Sequence, residues 1–250
     1  MSSRRWLLAL AASLAFAQDP RHILEESQKR VRSKSERYRG TLEVVDAKGK
    51  TRSWRWTFER IGSFGDSKSM LRFLAPPEVK GVALLIVNHP NSASEQWLWT
   101  PAIDRERRVA LQDRSGRFFG TDLSFEDLEE RDIAQFDYRP AGTETVDGAP
   151  CWKIESHPKR GKPSQYTSSL LCVRKDNYVL AKIENYAQDK LLRTINYRDI
   201  QKVDSLWSPR TIEVEDPARK SRTVLKLEKL EYNVPMKPED FTVEAMRRGE

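Results

Sequence analysis

Histidine and cysteine are scarce in this chain of 250 residues, which has three His and two Cys. Two of the His precede proline, in His89-Pro90 and His157-Pro158, and His22 falls in the first turn of an expected helix. That is a poor supply of general bases. No G-x-S-x-G, H-E-x-x-H, G-x-x-x-x-G-K-[ST] or G-x-G-x-x-G occurs, so the hydrolase elbow, zincin, phosphate-loop and dinucleotide signatures are all missing. The expectation is a protein that is not an enzyme, with no catalytic residue, metal or cofactor. Eleven Gly and no biased tract exclude collagen-like, low-complexity and repeat-array chains. No apolar run reaches the roughly 20 residues of a membrane span, which excludes a polytopic membrane protein.

The one apolar run, Trp6 to Ala15, follows Arg4 and Arg5 and ends in Ala15-Phe16-Ala17, small residues at the two positions a signal peptidase reads. Residues 1–17 are therefore expected to be a secretory signal peptide, with Gln18 first in the mature protein. The run is too short for a transmembrane anchor, and no Cys follows it to take a lipid. Arg4-Arg5 also partly resembles a twin-arginine signal, but nothing downstream calls for a cofactor loaded before export. The mature protein is expected to be soluble in the periplasm.

Without Arg4 and Arg5, 42 basic residues stand against 37 acidic, a net of +5 in place of +7. A modest excess without a basic reader motif argues against nucleic acid. It leaves a solvated basic surface or contact with anionic lipid head groups. The densest basic stretch holds Arg105, Arg107 and Arg108. It reads either as a charged hairpin edge that discourages aggregation or as a rim that meets head groups or a membrane partner.

Cys151 and Cys172 fit neither a redox C-x-x-C nor a zinc spacing. They flank two strand-like segments joined by the turn-rich stretch His157 to Pro163. A hairpin in which Trp152 faces Leu171 and Ile154 faces Ser169 would set the two Cys directly opposite each other, as a disulfide or as two buried thiols.

Asp19-Pro20 is a helix entry, and Ile23, Leu24, Ser27 and Val31 recur at helical spacing to about Ser35. From Tyr38 the period becomes two for nearly the rest of the chain, giving about ten half-buried antiparallel strands. Ser124 and Asp127 form a capping box for a second short helix, on whose exposed face Glu126, Asp127, Glu129 and Glu130 are expected. With no linker or composition shift, residues 18–250 read as one domain. It is mainly β with a few helices (α+β), a single large curved antiparallel sheet with helices on its concave face. Trp54, Trp56, Phe58, Leu71, Phe73, Trp97 and Trp99 are the candidate inward residues. They are either ordinary core under the helices or the wall of an apolar cavity that holds a lipid chain.

Three segments then carry a resemblance. Leu71-Arg72-Phe73-Leu74-Ala75-Pro76-Pro77-Glu78-Val79-Lys80-Gly81 is followed by Trp97-Leu98-Trp99-Thr100-Pro101-Ala102, and then by Phe119-Gly120-Thr121-Asp122-Leu123-Ser124-Phe125. With Asp147-Gly148-Ala149-Pro150-Cys151-Trp152 and the closing Glu239-Asp240-Phe241, their order and spacing resemble the LolA-like outer-membrane lipoprotein-sorting family over most of the mature chain. The resemblance implies an incomplete, half-open β-barrel with helices over its concave face. It also implies a periplasmic carrier that binds lipid or lipoprotein acyl chains non-covalently and moves them between membranes, with transient membrane contact and an inner-membrane permease or transporter as a partner. The alternative is an envelope sensor or accessory protein that uses the same fold to regulate a membrane transporter or signalling partner.

Overall fold

The structure is a computed structural model and describes residues 18–248. The expected signal peptide, residues 1–17, lies outside the described residues. The chain enters through helix α1 (Pro20–Val31), where the Asp19 carboxylate accepts the Arg21 N–H at 3.1 Å and Pro20 takes the first helical position. This is a cap and a pre-set φ for residues whose N–H groups have no partner inside the helix. Ile23, Leu24 and Ser27 are its buried residues on one narrow stripe, and the two apolar ones each contribute about 1.5–3 kcal/mol by leaving water. The helix stops at Val31, sooner than expected, because Ser35 already belongs to the first strand.

Among the described residues fifteen strands follow, more than the ten or so expected. They are β1 (Ser35–Val45), β2 (Thr51–Ser63), β3 (Asp66–Ala75), β4 (Ala83–Asn88), β5 (Glu95–Thr100), β6 (Arg105–Arg108), β7 (Phe136–Val146), β8 (Ala149–Pro158), β9 (Ser168–Arg174), β10 (Leu180–Ala187), β11 (Lys190–Arg198), β12 (Gln201–Val203), β13 (Leu206–Ser208), β14 (Thr211–Asp216) and β15 (Ser221–Tyr232). Thirteen form one antiparallel sheet in the order β6-β5-β4-β3-β2-β1-β15-β14-β11-β10-β9-β8-β7, and β12 with β13 makes a separate small hairpin. The sheet is open, with β6 and β7 as its two edges. A short second helix, α2 (Val243–Arg247), is the last element among the described residues.

The register shows how one face becomes the core. Ile154, Leu171, Ile183, Ile195, Val214, Thr223 and Val44 are successive cross-strand partners from β8 to β1, a transverse row on one face. All seven are buried. Cross-strand pairs of branched side chains are the unit of sheet stability, and this row repeats that unit across half the sheet.

Two expectations are corrected here. The second helix at Ser124 is only a single 3₁₀ turn, Glu126–Leu128, although its capping contact forms: the Ser124 hydroxyl and N–H both donate to Asp127 Oδ2 at 2.7 Å. The predicted β8–β9 register is off by two. Cys172 faces Lys153 and Cys151 faces Arg174, so the two Cys are diagonal neighbours, and both are free thiols.

Candidate functional site

Between α1 and the β9–β15 half of the sheet lies a cavity of about 440 Å³. Leu24, Ser27 and Val31 of α1 form one wall, and Leu171, Ile195 and Leu227 of the sheet form another. Segment 126–136 closes one side, tied to α1 by the Gln28 amide, which donates to the Arg131 carbonyl at 2.9 Å. Trp207 and Ser208, from the β12–β13 hairpin, close another. A concave, mostly apolar space of this size with a few polar groups is the usual form of a small-molecule site.

Most of its acidic groups are held by buried arginines. Arg60 of β2 is 5% exposed. It donates to Glu36 at 2.9 Å and to the Ser33 hydroxyl at 3.0 Å, and lies 3.4 Å from Glu130. Burial works against its charge, but Glu36 and Glu130 outweigh that and hold its pKa above the ordinary value. Arg114 pairs with Glu129 at 2.6 Å and Arg193 with Asp127 at 3.4 Å, while Tyr166 donates to Asp127 at 2.6 Å. Burial raises the pKa of Glu129 and Glu130, and their arginines offset it only in part. The expectation that Glu126, Asp127, Glu129 and Glu130 form a solvated helix face is therefore overturned: no regular helix forms there, Asp127, Glu129 and Glu130 turn inward to meet three arginines from elsewhere in the chain, and Glu126 accepts from Ser164 and Gln165.

None of the seven candidate wall residues lines this cavity. Trp54, Trp56, Leu71 and Phe73 are buried in the main core, on the same face of the sheet as the cavity but on strands β2 and β3. There the chain fills the space with its own rings. Phe118 stacks on Phe73 at 5.5 Å, Phe119 meets Phe73 edge-on at 5.4 Å, and Phe125 meets Phe118 at 5.7 Å. Trp56 and Phe58 are one layer behind the wall. They pack on Tyr38, edge-on at 5.2 Å and stacked at 4.7 Å, and it is Tyr38 that faces the cavity. Trp97 and Trp99 lie on the opposite face of the sheet, packed with Met70, Ala83 and Leu85 under Phe241 and Met246 of the C-terminal segment. It is Leu98, between them, that joins the main core.

Arg105, Arg107 and Arg108 form the edge strand β6, away from the cavity, and Arg108 pairs with Glu95 at 3.2 Å. Next to them Ile103 is 65% exposed. Among the described residues no group of three His, Cys, Asp or Glu side chains is placed to hold a metal ion, and no helix is long and apolar enough to cross a membrane.

Sequence reasoning missed the apolar lining residues Leu171, Ile195 and Leu227 and, beside them, the polar ones. Tyr38, Arg60, Arg131, Tyr197 and Tyr232 all line the cavity. In a period-two strand Arg60 continues the inward set Trp56 and Phe58, which was its only signal; its charge hid it. Burial pushes the hydroxyls of Tyr197 and Tyr232 up to about 12, so both remain neutral donors.

A protein-family model described as "Uncharacterized protein" matches residues 65–248. No curated protein matches. Solved structures that align over nearly the whole chain include the following three. A DUF1329 family protein from Desulfovibrio piger is 26% identical with a TM-score of 0.86, over 90% of this chain and 97% of that one. A structure named as an outer membrane lipoprotein-sorting protein domain, from Vibrio parahaemolyticus, is 24% identical with a TM-score of 0.85, over 91% and 98%. A LolA superfamily protein from Nitrosomonas europaea is 18% identical with a TM-score of 0.72, over 90% and 97%.

Proposed function

The chain belongs to the family of uncharacterized proteins whose model spans residues 65–248 and has the fold of the LolA-like lipoprotein-sorting proteins, and from this premise we propose that it is a periplasmic carrier of acyl chains. Residues 18–250 act as one half-open barrel, with α1 as the cover over its concave face. The observation that carries this reading is the apolar cavity of about 440 Å³ beneath α1.

The mechanism is burial without catalysis. Each methylene moved from water into the cavity contributes roughly 0.8 kcal/mol, so a chain is held by its length and released when its cover moves. The helix is suited to that, because its buried residues are Ile23, Leu24 and Ser27 alone. Elements held by few buried side chains open at low cost.

Delivery needs contact with a membrane, and the turn between β5 and β6 offers it. Ile103 is exposed there beside the exposed Arg105, Arg107 and Arg108, an apolar tip in a basic setting that suits anionic lipid head groups.

Native mass spectrometry of the mature protein purified from a periplasm, followed by lipid extraction, tests the reading. A bound acylated species supports it. Leu180→Trp and Ile212→Trp, which fill the cavity, are expected to abolish binding of a fluorescent fatty-acid probe. Trp97→Ser with Trp99→Ser, on the other face, is expected to leave that binding in place in a folded protein. An empty protein that also fails to bind the probe would overturn the proposal.

A further inference from the structure

The cavity has one end where cations stand without carboxylate partners. Arg131 and Lys162 both line it, and both lie against the ring of Phe136, a third lining residue. The Arg131 guanidinium carbon is 3.8 Å from the ring centroid and Lys162 Nζ is 5.3 Å from it. Among the described residues neither cation is ion-paired. Arg131 donates to the Ser156 hydroxyl and lies within hydrogen-bonding reach of the Tyr138 hydroxyl, while Arg131 Nε keeps unused capacity in a buried position. A buried polar group with unused capacity is uncommon, and it asks for a partner.

The acidic groups of the cavity are otherwise engaged. Glu36 and Glu130 are held by Arg60, Glu129 by Arg114, with the field of Lys162 reaching it beyond ion-pair distance, and Asp127 by Arg193 and Tyr166. Glu126, whose field reaches Arg131, accepts from the Ser164 hydroxyl and from the Gln165 N–H at 2.9 Å. The contrast shows in the arginines. Carboxylates hold Arg60 and Arg193 above the ordinary pKa, whereas burial pushes Arg131 below it.

We propose that the cargo is a single-chain amphiphile with an anionic head, seated with its carboxylate or phosphate between Arg131 and Lys162 beside Phe136 and its chain along Leu180, Ile195 and Leu227. This rests on the carrier reading above and narrows it to a cargo class. A guanidinium and an ammonium set around one anion give charge-assisted hydrogen bonds, roughly twice as strong as neutral ones. The volume agrees: about 440 Å³ falls within the roughly 300–1,000 Å³ of sites that enclose one small ligand. Lys162 is half-buried on the loop between β8 and β9, which places the head toward solvent and the chain inward.

The test is displacement of the neutral dye N-phenylnaphthylamine from the mature protein by dodecanoate, dodecyl phosphate and dodecanol, each below its micelle concentration. The two anions are expected to compete at concentrations about tenfold lower than the alcohol. Whichever anion is the stronger competitor separates a fatty acid from a phosphate-headed lipid. Arg131→Met with Lys162→Met is expected to collapse the anion-to-alcohol ratio toward one. Equal competition by all three in the wild type, or a ratio that survives in the double variant, overturns the anionic-head assignment and leaves the carrier reading standing. Failure of all three to compete overturns the carrier reading itself. Should the double variant not fold, Lys162→Met alone, at a half-buried loop position, is expected to lower the ratio, and the wild-type comparison decides without it.

Discussion

Phe118 lies almost flat on Phe73, with ring centroids 5.5 Å apart and 17° between the planes. Phe118 comes from the segment between β6 and β7, and Phe73 from β3. Through this pair the chain plugs the half of the sheet where the aromatic residues are densest, and the open space falls to the other half. Both rings are 1% exposed. Phe118→Ala is expected to cost about 3–5 kcal/mol, the range for truncating a buried ring whose surroundings relax only in part. The urea midpoint at an unchanged slope reads it.

Asp122 fixes that same segment to the sheet. Its carboxylate is fully buried and accepts from the Thr223 hydroxyl at 2.8 Å, the Ser221 hydroxyl at 2.5 Å and Arg219 at 3.2 Å. Its backbone N–H donates to Thr223, and its carbonyl accepts from Arg193 at 2.6 Å. Asp122→Ala removes the acceptor from two buried hydroxyls and from Arg219, and the ion-pair partner of Arg117 at 3.6 Å, and is expected to cost about 3–5 kcal/mol. Thr223→Ala, which leaves the carboxylate its other donors, is expected to cost less in the same denaturation experiment.

Acid should weaken the protein through Glu144. Its carboxylate accepts from Lys182 and lies 3.2 Å from Lys153; burial opposes ionisation, but these contacts and the Cys172 thiol prevail and lower its pKa from 4.5 to about 2. A depressed carboxylate stabilises the fold above its unfolded pKa and loses that contribution as pH falls through the folded one. The contribution of Glu144 is thus full above about pH 4.5 and fades toward pH 2. In Glu144→Gln the stability difference from wild type should shrink over that window, as read by urea midpoints at stepped pH.

Thiol chemistry checks the β8–β9 register. Cys151 and Cys172 are both fully buried. Burial, and then the Glu144 carboxylate, push the Cys172 thiol up to about 12, and burial raises Cys151 as well. Reactivity follows the thiolate. Native protein is expected to take up almost no alkylating reagent, and protein unfolded without reductant to take up two equivalents. No label after unfolding would mean that a disulfide joins them.

Local signals in the chain were legible where the physics is local. Asp19-Pro20 starts α1 as its cap and first helical residue. Asp147-Gly148 turns β7 into β8 with φ of 48° and 77°, left-handed angles that Asp tolerates and Gly adopts freely. The β8–β9 register was not legible. The loop from Lys159 to Thr167 is too long to dictate which residues face each other, so side-chain packing sets the register.

Alternation likewise marks two faces of a strand without saying which face meets which partner. Trp97 and Trp99 fall on the face that α2 covers, and Leu98 on the face of the main core. Arg72, between Leu71 and Phe73, looks solvent-facing in sequence, yet it is 8% exposed and donates to the Met246 carbonyl at 2.8 Å and the Ala245 carbonyl at 3.2 Å at the end of α2.

By itself the sequence determined an antiparallel, mainly β protein with an N-terminal helix and aromatic strands, because periodicity, capping and turn chemistry act over a few residues. Only the tertiary structure decided which apolar surface remains open. That choice depends on where Phe118, α1 and α2 dock, and on which buried charges find partners: Arg60 meets Glu36 and Glu130, whereas Arg131 meets no carboxylate among the described residues. These contacts join residues far apart in the chain, and no local pattern encodes them.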